Sequence, residues 1–236
     1  MISKFTYYDI ISNFIPGLTL IWGLFVLGPF SKDTIPILLT GNTIIDPLLV
    51  LAISYVIGHV LQFLSRYMIE PILKITFWKG HFFSDVFLIP GYKLCSTSEF
   101  NKCIICAEKK LDFAHDELAI LSDTTATSNK ETKDKAVELC KAIYRKIDAK
   151  TQDSSQAQKA HLQNTFYGFF RNLSVVFLIL ALMDILDLIK LHLGIISMTK
   201  VTISMIFLNM MLCIIFILKA RRRGELYVRG LFWSYA

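Results

Sequence analysis

Apolar residues are concentrated towards the two ends of the chain, whereas the middle mixes apolar and charged positions at helical spacing. Four apolar runs are long enough to cross a hydrocarbon core about 30 Å thick, which takes roughly 17–25 helical residues. They cover residues 14–30, 44–64, 173–193 and 201–218. The pattern predicts an all-α membrane protein with four transmembrane helices. No small-residue cleavage pattern follows the first run, so it is interpreted as a retained span, with a signal peptide as the alternative.

The pattern also divides the chain into three predicted parts. Residues 1–66 hold an N-terminal interfacial helix and the first two spans, residues 67–171 a helical cytoplasmic insertion, and residues 172–236 the last two spans and a basic-aromatic tail. Within the insertion, one helix is predicted over 98–121, and a second begins at the capping-box spacing of Ser128 and Glu131. We expect a kink or break at Glu70-Pro71, because proline removes a helical hydrogen bond. A third helix is expected to continue unbroken into the third span.

Composition and charge agree with a membrane protein and set its orientation. The chain is 54% hydrophobic, with a mean hydropathy of +0.51. The insertion is rich in lysine and arginine, and the tail adds five more basic residues, whereas the short loops on the other side hold few. By the positive-inside rule, the insertion and both termini are cytoplasmic.

Two carboxylates interrupt the third apolar run. Asp184 lies 13 residues beyond Arg171, about 20 Å along a helix, and Asp187 is one turn further out. One hypothesis places both carboxylates on a polar cavity or on the pore of a homo-oligomer, where rings of Asp favour cations. The other has Asp184 hydrogen-bonded within the helix bundle and Asp187 paired with Lys190 near the outer boundary. For Asp187 we favour the second interpretation, and for Asp184 both stay open.

The other spans also contain polar residues. His59 and Gln62 share one face of the second span, and Asn209 lies near the middle of the fourth. At such depth, polar side chains commonly form hydrogen bonds between helices, each worth about 0.6 kcal/mol. A proton-sensing or pore-lining role for His59 is the sharper alternative.

The tail combines arginines with aromatic residues. This pattern is typical of an anchor in the headgroup layer, where each basic residue adds about 1 kcal/mol of attraction to anionic lipid. Binding of a nucleotide or oligonucleotide is the second interpretation. The residues concerned are Arg221, Arg222, Arg223 and Arg229.

Candidate catalytic and metal chemistry is sparse. Cys103 and Cys106 have the two-residue gap of zinc sites, but they lie within an amphipathic helix and no second pair follows. We expect core packing there, and no metal or cofactor. Because no nucleophile elbow, HExxH, P-loop or GxGxxG motif occurs, the sequence predicts that the protein is not an enzyme.

Two stretches carry a family resemblance. YDIISNFIPG, residues 8–17, and SYVIGHVLQFLSR, residues 54–66, resemble the YD-x(6)-PG and G-H-x-x-Q patterns of small four-span bacterial membrane proteins, some of them in anti-phage defence operons. The resemblance implies an inner-membrane component, either a channel-like effector of the Hailong type or a sensor and scaffold like the Kiwa membrane subunit. It also implies a homo-oligomer, with a tetramer favoured, and a cytosolic protein or nucleic-acid-like ligand as partner.

Overall fold

The computed structural model describes residues 9–27, 45–122, 129–151, 157–195 and 201–235, and its regular structure there is entirely helical. A π-helix, Asp9–Phe14, leads into α1, Ile15–Leu27. A 3-10 turn covers Pro90–Tyr92. The remaining helices are α2 (Ile45–Trp78), α3 (Phe83–Val86), α4 (Thr97–Leu111), α5 (His115–Ser122), α6 (Lys130–Thr151), α7 (Gln158–His192) and α8 (Ile203–Tyr235).

Three helices are long and apolar enough to cross a membrane, and they are the ones that contain the predicted second, third and fourth spans. The first predicted span is different, because α1 has 13 residues. A helix of that length rises about 20 Å, which is shorter than a hydrocarbon core of about 30 Å. The rest of that span and the predicted cap Ser128 lie outside the described residues. As predicted, α7 continues without a break into the third span.

The chain folds as two compact units. The apolar unit comprises residues 1–70 and 165–220, and the polar unit comprises residues 71–164 and 221–236. The polar unit holds 31 of the 44 Lys, Arg, Asp and Glu residues. This grouping differs from the predicted division, because the basic-aromatic tail belongs with the insertion rather than with the last two spans. Each of α2, α7 and α8 contributes residues to both units.

Two glycines bring the N-terminal helices of the apolar unit against α2. A Cβ atom on Gly17 would stand 1.9 Å from the carbonyl oxygen of Ser54, and one on Gly58 would stand 2.1 Å from that of Asn13. Only glycine allows backbones to approach this closely, as in other membrane helix pairs with small residues at the contact. The two stretches that carry the family resemblance therefore pack on each other.

In the polar unit, the single helix predicted over 98–121 is divided in two. The first part, α4, begins at a complete capping box, in which Ser96 and Glu99 satisfy each other's backbone N–H groups. It ends because Asp112 adopts the left-handed conformation, with φ of 56°. The carbonyl oxygen of Leu111, at the end of α4, still has a hydrogen-bond donor, because Lys146 Nζ donates to it at 2.9 Å. This tertiary contact replaces the helical bonds that a longer α4 would have made.

The end of α8 completes the hydrophobic core of the polar unit. Val228, Leu231 and Phe232 are almost fully buried, and the ring of Phe232 stacks on that of Phe87 with centroids 5.0 Å apart. The tail was predicted to lie in the headgroup layer because its aromatic residues are amphipathic. The structure instead buries Tyr227 and Phe232 among side chains of the insertion, whereas Trp233 is 48% exposed.

Of the kink or break expected at Glu70-Pro71, the break does not occur. Residues 45–78 form one α-helix with Pro71 inside it. A proline costs a helix one backbone hydrogen bond and crowds the preceding turn, yet tertiary packing often outweighs that cost. Here Ile69 and Leu73, on either side of the proline, are fully buried.

Replacing Gly58 by alanine should destabilise the apolar unit. Alanine is intrinsically better in a helix by about 1 kcal/mol, but its Cβ atom would meet the Asn13 backbone, and overpacking of this kind costs about 1–3 kcal/mol. We expect a lower unfolding temperature for Gly58→Ala in detergent, measured by circular dichroism. The matched control is Gly23→Ala, whose Cβ atom meets only the methyl end of Leu180. Equal losses in both variants would contradict the close backbone contact.

Candidate functional site

A buried ion pair lies within the apolar unit. The Arg171 guanidinium on α7 donates to the Glu70 carboxylate on α2, and the two side chains are only 7% and 13% exposed. The guanidinium also lies over the Tyr167 ring, 5.2 Å from its centroid. Charges removed from water to this extent are tolerated when they are paired and fully hydrogen-bonded. The pair therefore fixes where α2 and α7 meet.

A chain of hydrogen bonds continues from this ion pair to the N-terminal π-helix. Arg171 Nε donates to Ser65 Oγ at 3.0 Å, and Ser65 in turn donates to Asn172 Oδ1 at 2.6 Å. The Asn172 amide then donates to the backbone carbonyl of Ser12, also at 2.6 Å. Ser12, Ser65 and Asn172 are fully buried. Three separate helical segments are thus joined by one continuous polar network.

A second buried pair joins α7 to α8. Asn209 Nδ2 donates to Asp184 Oδ2 at 2.8 Å, and the two residues are 4% and 3% exposed. The Asp184 carboxylate therefore has a partner inside its own chain. Of the two interpretations left open for Asp184, this contact favours a hydrogen bond within the bundle.

Asp187 has the partner that the sequence indicated. Lys190 Nζ lies 3.3 Å from Asp187 Oδ1, one helical turn away, and the lysine is 45% exposed. Exposed ammonium groups near the end of a span reach towards the interface while their alkyl stems stay in apolar surroundings. This pair accounts for a carboxylate near the end of α7 without a pore.

His59 differs from the other intramembrane polar residues. It is exposed on α2, with neighbours Val56 and Val60 that are 61% and 53% exposed. Its ring packs edge-on against that of Tyr55, with centroids 4.5 Å apart. Gln62, one turn away, is partly buried. The three predicted polar residues thus differ in exposure: Asn209 is buried, Gln62 is partly buried and His59 is exposed.

Three of the tail arginines are engaged by protein groups of the polar unit. Arg229 donates to the Leu94 carbonyl at 2.7 Å and lies 3.4 Å from Glu99. Arg221 pairs with Glu225 at 2.9 Å, and Arg223 donates to the Gln163 side chain at 2.7 Å. Arg222 is exposed. Contact of these arginines with lipid or an anionic ligand stays a prediction, with Arg222 as the residue best placed for it.

The cysteines of α4 lie in the core of the polar unit. Cys103 and Cys106 are 7% and 6% exposed. Burial, followed by the nearby ionisable groups, raises the pKa of the Cys103 thiol to about 12, so this thiol is protonated at neutral pH. Within the described residues, no three His, Cys, Asp or Glu side chains are grouped so as to hold a metal ion.

Sequence reasoning missed the Glu70–Arg171 network. It treated Arg171 as a boundary marker and Glu70 as part of a helix break, although Arg171 lies two residues before the third predicted span and Glu70 six residues after the second. Opposite charges at the same ends of two neighbouring spans are a signal that they pair. The participation of Asn172 and of the Ser12 carbonyl had no such signal, because both depend on how the helices pack.

Known proteins give no further information on the role of these residues. Comparison with protein-family models, with curated proteins and with solved structures finds no match for this chain. The resemblance of residues 8–17 and 54–66 to small membrane proteins therefore stays an expectation from those residues. The structure adds that the two stretches are in contact, through Gly17 and Gly58.

Removing one partner of the buried ion pair should be strongly destabilising. Arg171→Met leaves the Glu70 carboxylate without its counter-charge, and the loss of one member of such a pair costs about 3–5 kcal/mol. Adding Glu70→Leu to the same chain should restore part of that stability, because no uncompensated charge then remains. The measurement is unfolding in mixed detergent micelles, arranged as a double-mutant cycle.

The matched control is the exposed pair of Lys135 and Glu131, whose side chains are 61% and 76% exposed. Lys135→Met should leave stability unchanged, since solvent screens such a pair. A double variant no more stable than Arg171→Met alone would show that burial of the ion pair is not what makes its loss costly.

Proposed function

We propose that this protein is a homo-oligomeric membrane channel or membrane-permeabilising effector. The observation that carries the proposal is the exposed His59 side chain on a span of α2. His59 lies 14 residues after the start of α2 and seven before Arg66, or about 20 Å and about 10 Å along the helix. At that depth, an outward-facing imidazole needs a polar partner that lipid tails do not supply.

The other spans support this interpretation by contrast. The exposed faces of the spans in α7 and α8 consist mainly of large apolar side chains, as expected for contact with lipid. The most exposed of them are Leu182, Leu186, Ile203, Phe207 and Ile214. Their polar residues, Asp184 and Asn209, face inward and bind each other. Ser204 is also exposed, but it lies in the first turn of α8. The deeper outward group on α2 therefore favours the α2 face as the one that meets another subunit or a water-filled path.

Imidazole chemistry suits a symmetric assembly. A neutral imidazole has one N–H donor and one nitrogen acceptor, so copies of His59 around a rotation axis can hydrogen-bond to one another. In this proposal, the ion path lies beside α2 of each subunit. Asp184 and Asp187 serve bundle packing rather than a carboxylate ring, because each already has a partner on its own chain.

The remaining parts of the proposal come from the sequence. The charge distribution supports a cytoplasmic polar unit that receives the activating signal, and α7 supports coupling because it is one helix from residue 158 to residue 192. The resemblance of residues 8–17 and 54–66 supports a tetramer in the bacterial inner membrane and a role in anti-phage defence. No catalytic step is assigned to the chain.

Replacing His59 by leucine should weaken assembly and conductance together. Loss of one interhelical hydrogen bond, worth about 0.6 kcal/mol in membranes, weakens each subunit contact about threefold. We expect a smaller oligomer fraction by light scattering in detergent and a lower ion flux from liposomes. His59→Gln should retain more of both, because the amide still donates and accepts.

The control is Phe207→Leu, which changes an exposed side chain on the apolar face of α8 and should leave both readouts unchanged. The channel proposal fails if the wild-type protein passes no ions in liposomes and cells that express it keep their membrane potential during activation. It also fails if His59→Leu behaves like Phe207→Leu.

A membrane sensor or scaffold that recruits a cytosolic effector is the second candidate. The polar unit supports it, because this unit builds its own core around residues such as Trp78, Leu111 and Phe232 and carries most of the charged surface. A scaffold should form a stable complex with the product of a neighbouring gene and pass no ions. Conductance of the isolated protein would exclude this candidate as its main role.

A further inference from the structure

The N-terminal π-helix buries one side chain that the packing leaves unsatisfied. Asn13 is 1% exposed, and among the described residues neither its Nδ2 nor its Oδ1 has a hydrogen-bond partner. A carboxamide can donate two hydrogen bonds and accept two, and a buried polar group that makes none of its bonds is both rare and costly. The Asn13 side chain therefore disfavours the arrangement in which the structure holds it.

Two other asparagines of the apolar unit are buried as well, and both have partners. The Asn172 side chain accepts from Ser65 and donates to the carbonyl of Ser12, the residue next to Asn13. The Asn209 amide donates to the Asp184 carboxylate. The packing of this unit can therefore satisfy a buried amide, and the unsatisfied amide is particular to the π-helix.

The backbone beside Asn13 is held by a contact with another helix. In an α-helix, the Ser12 carbonyl would accept from the N–H of residue 16, but residue 16 is proline and has no N–H. Asn172 on α7 supplies a donor instead, at 2.6 Å. The segment Asp9–Phe14 is a π-helix, a form that is rare in proteins and is found frequently at functional sites. Pro16 therefore marks a point where fewer helical hydrogen bonds connect the π-helix to α1.

The π-helix lies at the edge of the apolar unit. Ile10 is 45% exposed, and Ile15, at the start of α1, is 38% exposed. On the inner side, the Asn13 backbone packs on Gly58 of α2. Gly58 lies eight residues before Arg66, or about 12 Å along the helix. The segment is thus near the charged end of this span, where water and lipid headgroups can replace partners that are lost.

We propose that the N-terminal π-helix is a two-state strap. In the docked state, which the structure shows, Asn172 binds the Ser12 carbonyl and Asn13 is buried without a partner. In the released state, the π-helix turns away from α2 about Pro16, and water or headgroups bind the Asn13 amide. The docked state gains one hydrogen bond and leaves one amide unsatisfied, so the two effects offset each other, as a bistable element requires. This device goes beyond the proposed channel activity and does not depend on it.

The test is amide hydrogen exchange, measured by mass spectrometry on the full chain in phosphatidylcholine nanodiscs. In the wild type, residues 9–14 should exchange much faster than residues 173–181 of α7, because release of the strap leaves the rest of the unit folded. Asn13→Leu removes the unsatisfied amide and keeps a branched side chain. We expect it to slow exchange at residues 9–14 about tenfold, since it removes the cost of the docked state. Asn13→Val, which adds less volume, should act in the same direction.

Asn172→Leu should have the opposite effect and speed exchange at residues 9–14 about threefold, because it removes the bond to Ser12. The control is Asn209→Leu, the same change at a buried amide elsewhere in the unit, which should leave that rate as in the wild type. Circular dichroism will establish that each variant is folded.

The two-state strap is overturned if residues 9–14 of the wild type exchange as slowly as residues 173–181, or if neither Asn13→Leu nor Asn13→Val slows them. An Asn172→Leu variant that exchanges like Asn209→Leu would overturn the role of the Ser12 contact. Hydrogen exchange does not measure ion flux, so its outcome is independent of whether the protein conducts.

Discussion

The apolar unit depends on one interaction, the ion pair of Arg171 with Glu70. A charged group in apolar surroundings must be neutralised and hydrogen-bonded, because water is not there to replace a missing partner. The guanidinium meets this condition by binding the Glu70 carboxylate and the Ser65 hydroxyl together. Ser65 also contacts Asn172 Oδ1, and the Asn172 amide donates to the Ser12 carbonyl. The hydrogen bonds that begin at this one charge therefore join three helical segments.

The hydrogen-bond network also depends on how closely the helix backbones approach each other. Asn172 reaches Ser12 only when the N-terminal helices lie directly on α2, and Gly17 and Gly58 permit that approach. Small residues and polar groups thus act together, as they do in other membrane helix contacts. Between α7 and α8, the buried Asp184 carboxylate is likewise hydrogen-bonded, by the Asn209 amide. His59 differs from these buried pairs because its side chain is exposed, and for that reason it is informative about what lies outside the chain.

Much of the local structure could be predicted from the sequence, whereas most of the long-range contacts could not. Apolar run length predicted the three helices able to cross a membrane, and the absence of a breaker predicted the continuity of α7. The helical spacing of Cys140, Ile143 and Ile147 in α6 indicates one apolar face, and all three side chains are buried. Periodicity states which face of a helix is apolar, but not which helix it meets. The basic-aromatic tail shows this limit, since its pattern suits a headgroup layer and a protein core equally well.

The discontinuity of the polar unit has a consequence for biogenesis. Its core needs Leu231 and Phe232, but these residues leave the ribosome only after the spans of α7 and α8 have been made. Until then, residues 71–164 form an incomplete unit with exposed apolar surface, of the kind that chaperones bind during synthesis. The core of the polar unit can therefore be completed only after the preceding spans have been translated. In this chain, the order of synthesis couples the maturation of the charged part to the production of the membrane part.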